Sequence, residues 1–171
     1  MLQSGDIAPN FTQQSSQGKI DFYDWAEDSW VVFFSHPADC PSVFTSELGS
    51  VAQLKPEFDK RGVKAIAISG RDRESYRDWI DEIDETQDIC VSYPIVADVD
   101  KSVSDLYGII HADDNARLIV RTVFVIDPRK KVRLTISDPP GMVSDFLETM
   151  TERNFQDVLR TIDHRSEQAP P

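Results

Sequence analysis

The side chains that stand out for chemistry are two cysteines, Cys40 and Cys90, and an arginine, Arg121, set in an apolar run. Cys40 lies between Asp39 and Pro41, where an apolar segment ends and a helical pattern begins. Proline favours the first helical position, so Cys40 falls at or beside the N-cap. Free amides and the positive end of the helix dipole stabilise a thiolate there, which makes Cys40 a candidate low-pKa nucleophile. Asp39 acts the other way and raises the thiol pKa if it faces the sulfur. The local sequence therefore supports a reactive thiolate and an inert, partly buried thiol equally. Cys90, in "TQDICVSYPI", has no activating neighbour and reads as a packing residue at a strand entry. Whether it pairs with Cys40 depends on geometry that the sequence does not carry.

Arg121 interrupts "LIVRTVFVID". A guanidinium in such a run needs a partner: a buried acid such as Glu47, or an anion or polar substrate. The site reading is favoured, because sites gather at strand ends beside a helix start. His36 directly follows the first long apolar run, and reads as a base, a donor or a simple backbone cap. His36, His111 and His164 are far apart and show no close spacing to cysteine, so no metal site is expected. The seven glycines are scattered and form no phosphate loop. No cofactor is expected.

These residues need elements to position them. "WVVFFS" (Trp30 to Ser35) reads as a strand buried on both faces. Leu48, Val51, Leu54 and Phe58 then recur at helical spacing, with Gly62 as the stop and Pro56 expected to kink the helix or limit its first part. "VKAIAIS" is a second buried strand and Asp72 to Gln87 a helix. "YPIVAD" is a short strand. "DKSVSDLYGI" is a short helix capped by Asp100. "LIVRTVFVID" reads as one strand, "PRK" as a turn and "KVRLTIS" as the returning hairpin strand. A last helix carries Phe155, Val158, Leu159 and Ile162 on its apolar stripe. Strands alternating with helices predict an α/β fold with a central sheet covered on both faces. The closing hairpin makes that sheet mixed.

The chain has 171 residues without a composition break, which predicts a single domain over 1–171. A formal charge of -12 repels phosphate backbones and anionic lipid heads, so neither nucleic acid nor membrane is expected as a partner. No run of 18 apolar residues and no leader-like start is present, and the expected location is the cytoplasm. Two cysteines are too few for a disulfide framework in a chain of this length.

Several blocks, in order, resemble the one-cysteine peroxiredoxins of the alkyl hydroperoxide reductase/thiol-specific antioxidant superfamily. They are "GDIAPNF", "SHPAD", "TSELG", "KPEFDKRGVKAIAIS", "YPIVAD", "VRTVFVIDPRKKVRLT" and "RNFQDVLRTID", spanning about Gly5 to Asp163. The resemblance implies a thioredoxin-like fold, thiol-dependent reduction of hydroperoxides with an external thiol as reductant, and a homodimer.

The same resemblance exposes departures. The family's working motif is Pro-x-x-x-Thr-x-x-Cys. Its proline matches Pro37, its threonine falls on Pro41, and its peroxidatic cysteine falls on Phe44. The family's arginine matches Arg121, its histidine His36, and the glutamate after the nucleophile Glu47. Cys40 stands where the family usually carries an aromatic residue, one helical turn from Phe44. Its Cβ would lie on the order of 6 Å from the usual sulfur position, and a misplacement of about 1 Å can lower a rate on the order of a hundredfold. The stretch Ser137 to Glu152 is longer and more apolar than its family counterpart, and reads equally as a surface loop or as a lid or partner surface. The family's C-terminal extension has no counterpart here.

Three functions follow. The favoured one is a divergent member whose remodelled pocket, around Arg121, His36 and Phe44, binds a small anionic or polar ligand or carries non-peroxidase chemistry. The second is a hydroperoxide reductase with Cys40 as a displaced nucleophile. The third is an inactive partner subunit of an active peroxiredoxin.

Overall fold

Successive residues of one strand enter two different cores. Val31 and Phe33 pack on one side and Val32 and Phe34 on the other, all essentially without solvent contact. A strand with period-two side chains can do this only between two covered faces. The structure, a computed structural model, describes residues 1–36, 55–70, 78, 81, 92–112, 117–137 and 158–164.

The chain opens with a hairpin of β1 (Thr12–Ser15) and β2 (Gly18–Asp21), then α1 (Phe22–Ala26) and β3 (Trp30–His36). A helix over residues 55–60, α2, leads to β4 (Val63–Ser69) and β5 (Ile95–Ala97). Next come α3 (Ser102–Leu106), β6 (Ile110–Ala112), β7 (Arg117–Ile119), β8 (Thr122–Ile126) and β9 (Val132–Ser137). Residues 158–164 form the last described helix, α4.

Seven strands make one mixed sheet in the order β2-β1-β5-β4-β3-β8-β9, and β6 and β7 form a separate two-stranded ribbon. The three central strands β5, β4 and β3 run parallel, while β8 and β9 return antiparallel on one side and β1 and β2 complete the other. On one face α2 and α4 bring Phe58, Val158, Leu159 and Ile162 against Val32, Phe34, Ala65, Ala67 and Val123. The guanidinium of Arg61 joins these helices, donating from Nε to Asp163 Oδ1 at 2.6 Å and from NH1 to Glu57 Oε2 at 2.9 Å. On the other face α1, α3 and the N-terminal segment enclose an aromatic cluster, with Phe33 and Tyr107 stacked at 4.8 Å and Phe11 and Phe22 at 5.0 Å. Burial pushes the Tyr107 phenol above its ordinary pKa, and its hydroxyl donates to Pro9 O at 2.8 Å.

Most expected elements are present, with three differences. First, residues 118–127 are not one strand: Val120 and Arg121 separate β7 from β8, because β7 pairs with β6 while β8 pairs with β3 and β9. Second, Asp100 is not the N-cap of α3. Lys101 holds that position in a left-handed conformation (φ 58°) without a side-chain cap. Asp98, fully buried at the end of β5, accepts from Val103 N at 3.1 Å, Ser104 N at 2.8 Å and Ser104 Oγ at 2.6 Å. Asp100 accepts from Ser102 N and Oγ. Third, residues 12–26 and 110–112 form elements where the sequence reading placed none. Gly62 (φ +65°) follows α2 as expected. The predicted helix over residues 72–87 is described only at 78 and 81, both helical.

Candidate functional site

Parallel strands in an open α/β sheet commonly present ligands at their carboxyl ends. Here β3 ends at His36 and β4 ends at Ser69, and the two residues are register partners. Ser69 is in turn the partner of Ala97 on β5. On the other side of β3 the last recorded antiparallel pair is Phe34 with Val123. Arg121 lies two residues before Val123 in the chain, and His36 two residues after Phe34.

Arg121 is buried, at 8% exposure, between β7 and β8. Its backbone is held on every side. Ser35 Oγ donates to Val120 O at 2.6 Å and accepts from Thr122 N at 2.9 Å. Val120 N donates to Ile109 O at 2.7 Å, and Thr122 Oγ1 donates to Val120 O at 3.3 Å. Ser137 Oγ, on β9, reaches Arg121 O at 3.5 Å. The break between β7 and β8 thus replaces ladder hydrogen bonds with side-chain ones, which a buried peptide group requires. The result is a buried arginine whose flanking peptide groups are fixed by side-chain hydrogen bonds.

Of the residues singled out by sequence, the structure brings two to this place: Arg121, and His36 by its backbone position. Pro37, Cys40, Pro41, Phe44 and Glu47 lie outside the described residues, as do Cys90 and the stretch 138–152, so the Arg121–Glu47 pairing and the Cys40–Cys90 pairing are not described either. Sequence reasoning missed Ser35, whose role as the clamp on Arg121 had only one signal, a hydroxyl residue closing a run of five apolar ones. Among the described residues no group of three histidine, cysteine or acidic side chains is placed to hold a metal. A separate groove of about 250 Å³ opens at the amino end of β4, among Trp25, Phe58, Lys64 and Tyr93, and contains none of the predicted site residues.

A mixed sheet with parallel central strands and helices on both faces, with this strand order, places the chain in the thioredoxin-like α/β class. The Mycobacterium tuberculosis protein AhpC has the same fold at 20% identity, with a TM-score of 0.79 over 100% of this chain and 97% of that one. The chain belongs to the AhpC/TSA family, whose profile matches residues 4–135.

Within the family it is similar to the one-cysteine peroxiredoxins. It is 42% identical to the 1-Cys peroxiredoxin of Dictyostelium discoideum over 95% of this chain and 64% of that protein. It is 44% identical to mitochondrial peroxiredoxin PRX1 of Saccharomyces cerevisiae over 95% of this chain and 61% of that one. The chain thus spans less than two thirds of these two relatives. A crystal structure of a cysteine-to-serine variant of peroxiredoxin 6 from Arenicola marina superposes with a TM-score of 0.80 at 37% identity, over 95% of this chain and 73% of that one.

Proposed function

We propose that the protein is a divergent peroxiredoxin-family member that uses the carboxyl ends of β3 and β4 to bind a small anionic or oxygen-bearing ligand through Arg121. The observation that carries this reading is the Ser35 clamp: a buried arginine held by side-chain hydrogen bonds on both flanks. Arg121 is kept at 8% exposure, and a charge buried to that extent is retained where it has an ionic or hydrogen-bonding role. In this reading Phe44 stands where the family nucleophile does, and Pro41 where its threonine hydroxyl does. Peroxide reduction at the usual position therefore lacks both the thiolate and a donor. His36, Pro37 and Glu47 complete the pocket in this reading.

A second reading keeps the family chemistry. Its support is that the relatives are named as peroxiredoxins, and that one solved structure, of the yeast mitochondrial 1-Cys peroxiredoxin, concerns thiol resolution through glutathione/thioredoxin systems. Cys40 would attack the hydroperoxide O–O bond as a thiolate, take one oxygen as a sulfenic acid and release the other as water or alcohol. An external thiol would reduce the sulfenic acid. Arg121 would stabilise the negative charge.

Peroxide consumption with dithiothreitol, read together with intact mass, separates the two. No consumption and an unmodified Cys40 support the first reading. Rapid consumption with an oxygen adduct on Cys40, abolished in Cys40→Ser, establishes the second. If a full-length active peroxiredoxin copurifies with the inactive chain, the protein is instead its partner subunit. A homodimer is proposed from family resemblance and is checked by light scattering. The cytoplasm is proposed from the sequence. The yeast relative carries a mitochondrial name, and fractionation of the source cells decides. Among the described residues no helix is long and apolar enough to cross a membrane.

A further inference from the structure

The groove at the amino end of β4 lies where two strands of unequal length meet. β4 begins at Val63, but β5 first pairs with it at Ala67, so Val63 to Ile66 run beyond the start of β5. The turn of the β1–β2 hairpin is tied to the entry of β5. Gln17 Nε2 donates to Ser92 O at 2.6 Å, and Ser16 Oγ accepts from Ile95 N at 3.0 Å. With Trp25 from α1 and Phe58 from α2, these segments line a space of about 250 Å³. That is just below the range of about 300–1,000 Å³ common for small-molecule sites, and suits a ligand of one or two rings. Ser69, at the other end of β4, is about 20 Å away along the strand, so the groove is separate from the site proposed for Arg121.

The lining combines buried apolar walls with exposed cations. Phe58, Val63 and Tyr93 are buried, whereas the side chains of Lys55 and Lys64 are 40% and 33% exposed. Among the described residues the charged ones lining the groove are Lys55, Lys64 and Asp59. The lining thus carries the opposite sign from the chain, whose formal charge is -12. Both ammonium groups have partners, and both keep capacity for another, since an ammonium has three donors. Lys64 Nζ donates to Trp25 O at 2.6 Å, reaches Glu27 Oε2 only at 3.4 Å, and stands 5.4 Å from the Trp25 ring centroid. The carbonyl and the ring fix this ammonium in advance, so little freedom is lost when a ligand meets it. Lys55 Nζ directs both its hydrogen bonds to one carboxylate, that of Asp59, at 2.8 and 3.1 Å. Exposed ion pairs of this kind contribute little, and an incoming anion shares them readily.

We propose that this groove is a binding site for a small aryl carboxylate. Its ring packs against Phe58, Val63 and Tyr93, and its carboxylate meets the Lys64 ammonium with Lys55 beside it. A purely polar anion leaves the apolar walls unused, and a neutral ring leaves the two cations unused. The inference is independent of the Arg121 reading.

The test is isothermal titration calorimetry of the full chain with sodium 2-naphthoate. The neutral analogue 2-naphthamide and inorganic phosphate are the comparison ligands. Wild type is expected to bind 2-naphthoate with a negative heat-capacity change, the mark of apolar burial. It should bind 2-naphthamide on the order of tenfold more weakly, and phosphate should give no binding heat. Lys64→Met keeps the apolar stem without the charge and should weaken 2-naphthoate binding on the order of tenfold. Lys64→Arg should retain most of the affinity. Lys55→Met, at an exposed position, covers the case in which the Lys64 variants do not fold, and should weaken binding severalfold. Binding of 2-naphthoate that is unchanged in every folded lysine variant places the ligand elsewhere and overturns the proposal. Equal affinity for 2-naphthamide overturns the anionic ligand class. No binding heat from 2-naphthoate with wild type overturns the site itself.

Discussion

The hydroxyl of Ser35 fixes Arg121 from both sides, donating to the carbonyl of the residue before it at 2.6 Å and accepting from the amide of the residue after it at 2.9 Å. The donor sits on β3 and the arginine 86 positions later (121 − 35), so the clamp joins the two chain segments that flank the candidate pocket.

Ser35→Ala should therefore disturb both stability and function. It leaves the buried Thr122 N–H without an acceptor, which costs about 1–3 kcal/mol. Urea unfolding should show the midpoint falling with an unchanged slope. Ligand binding, or peroxide consumption if the protein proves to be a peroxidase, should weaken with it, because Arg121 loses its fixed backbone. Full retention of ligand affinity in a destabilised variant would separate the clamp from the site.

Asp98 should be the most sensitive acid outside the pocket. Its carboxylate holds the first turn of α3 through two backbone amides and the Ser104 hydroxyl. Asp98→Ala leaves those donors buried and is expected to destabilise by about 3 kcal/mol. Asp98→Asn retains one acceptor oxygen and should fall between that variant and wild type. Chemical denaturation of the three proteins checks the order.

The link between α2 and α4 makes a defined contribution to pH dependence. Hydrogen bonding to Arg61 holds the Asp163 carboxyl below its ordinary value of 3.8. A folded-state pKa below the unfolded one stabilises above the unfolded value and is lost as pH falls through the folded one. Both partners are partly exposed, at 27% and 46%, so solvent screening keeps the contribution below about 1 kcal/mol. Asp163→Asn should thus unfold at slightly lower urea than wild type at pH 7, and the two should converge in acid, below the folded pKa. A gap that stays constant down to acid pH would assign the effect to packing instead of charge.

Gly108 carries the close approach of the N-terminal segment. It adopts φ +69°, and an added Cβ would lie 2.7 Å from Met1 Cα and closer still to Met1 N. Gly108→Ala should be destabilising through left-handed strain alone, by about 1 kcal/mol, and more through displacement of residues 1–2. Hydrogen exchange at Leu2, whose amide donates to Tyr107 O, should accelerate in the variant.

The sequence by itself determined the buried core strands, the mixed sheet and the family. "WVVFFS" and "VKAIAIS" carry continuous apolar runs that only a strand covered on both faces can bury, and the hairpin after Asp127 follows from its turn residues. Arg121 was legible as a site residue because an arginine in such a run has few other uses. Tertiary structure alone decided how Arg121 is held. Apart from Thr122 and the closing Asp127, residues 118–127 are apolar around the arginine, and nothing local marks the break at Val120 and Arg121; it exists because β7 and β8 pair with different strands. The partners of Ser35 and Asp98 were equally hidden. A hydroxyl or carboxylate is satisfied by whichever backbone group the fold brings near, and the backbone groups that Ser35 meets lie 85 and 87 positions away. The Ser69 hydroxyl, buried without a hydrogen-bond partner among the described residues, is the extreme case, since an absent partner can be seen only once every neighbour is in place.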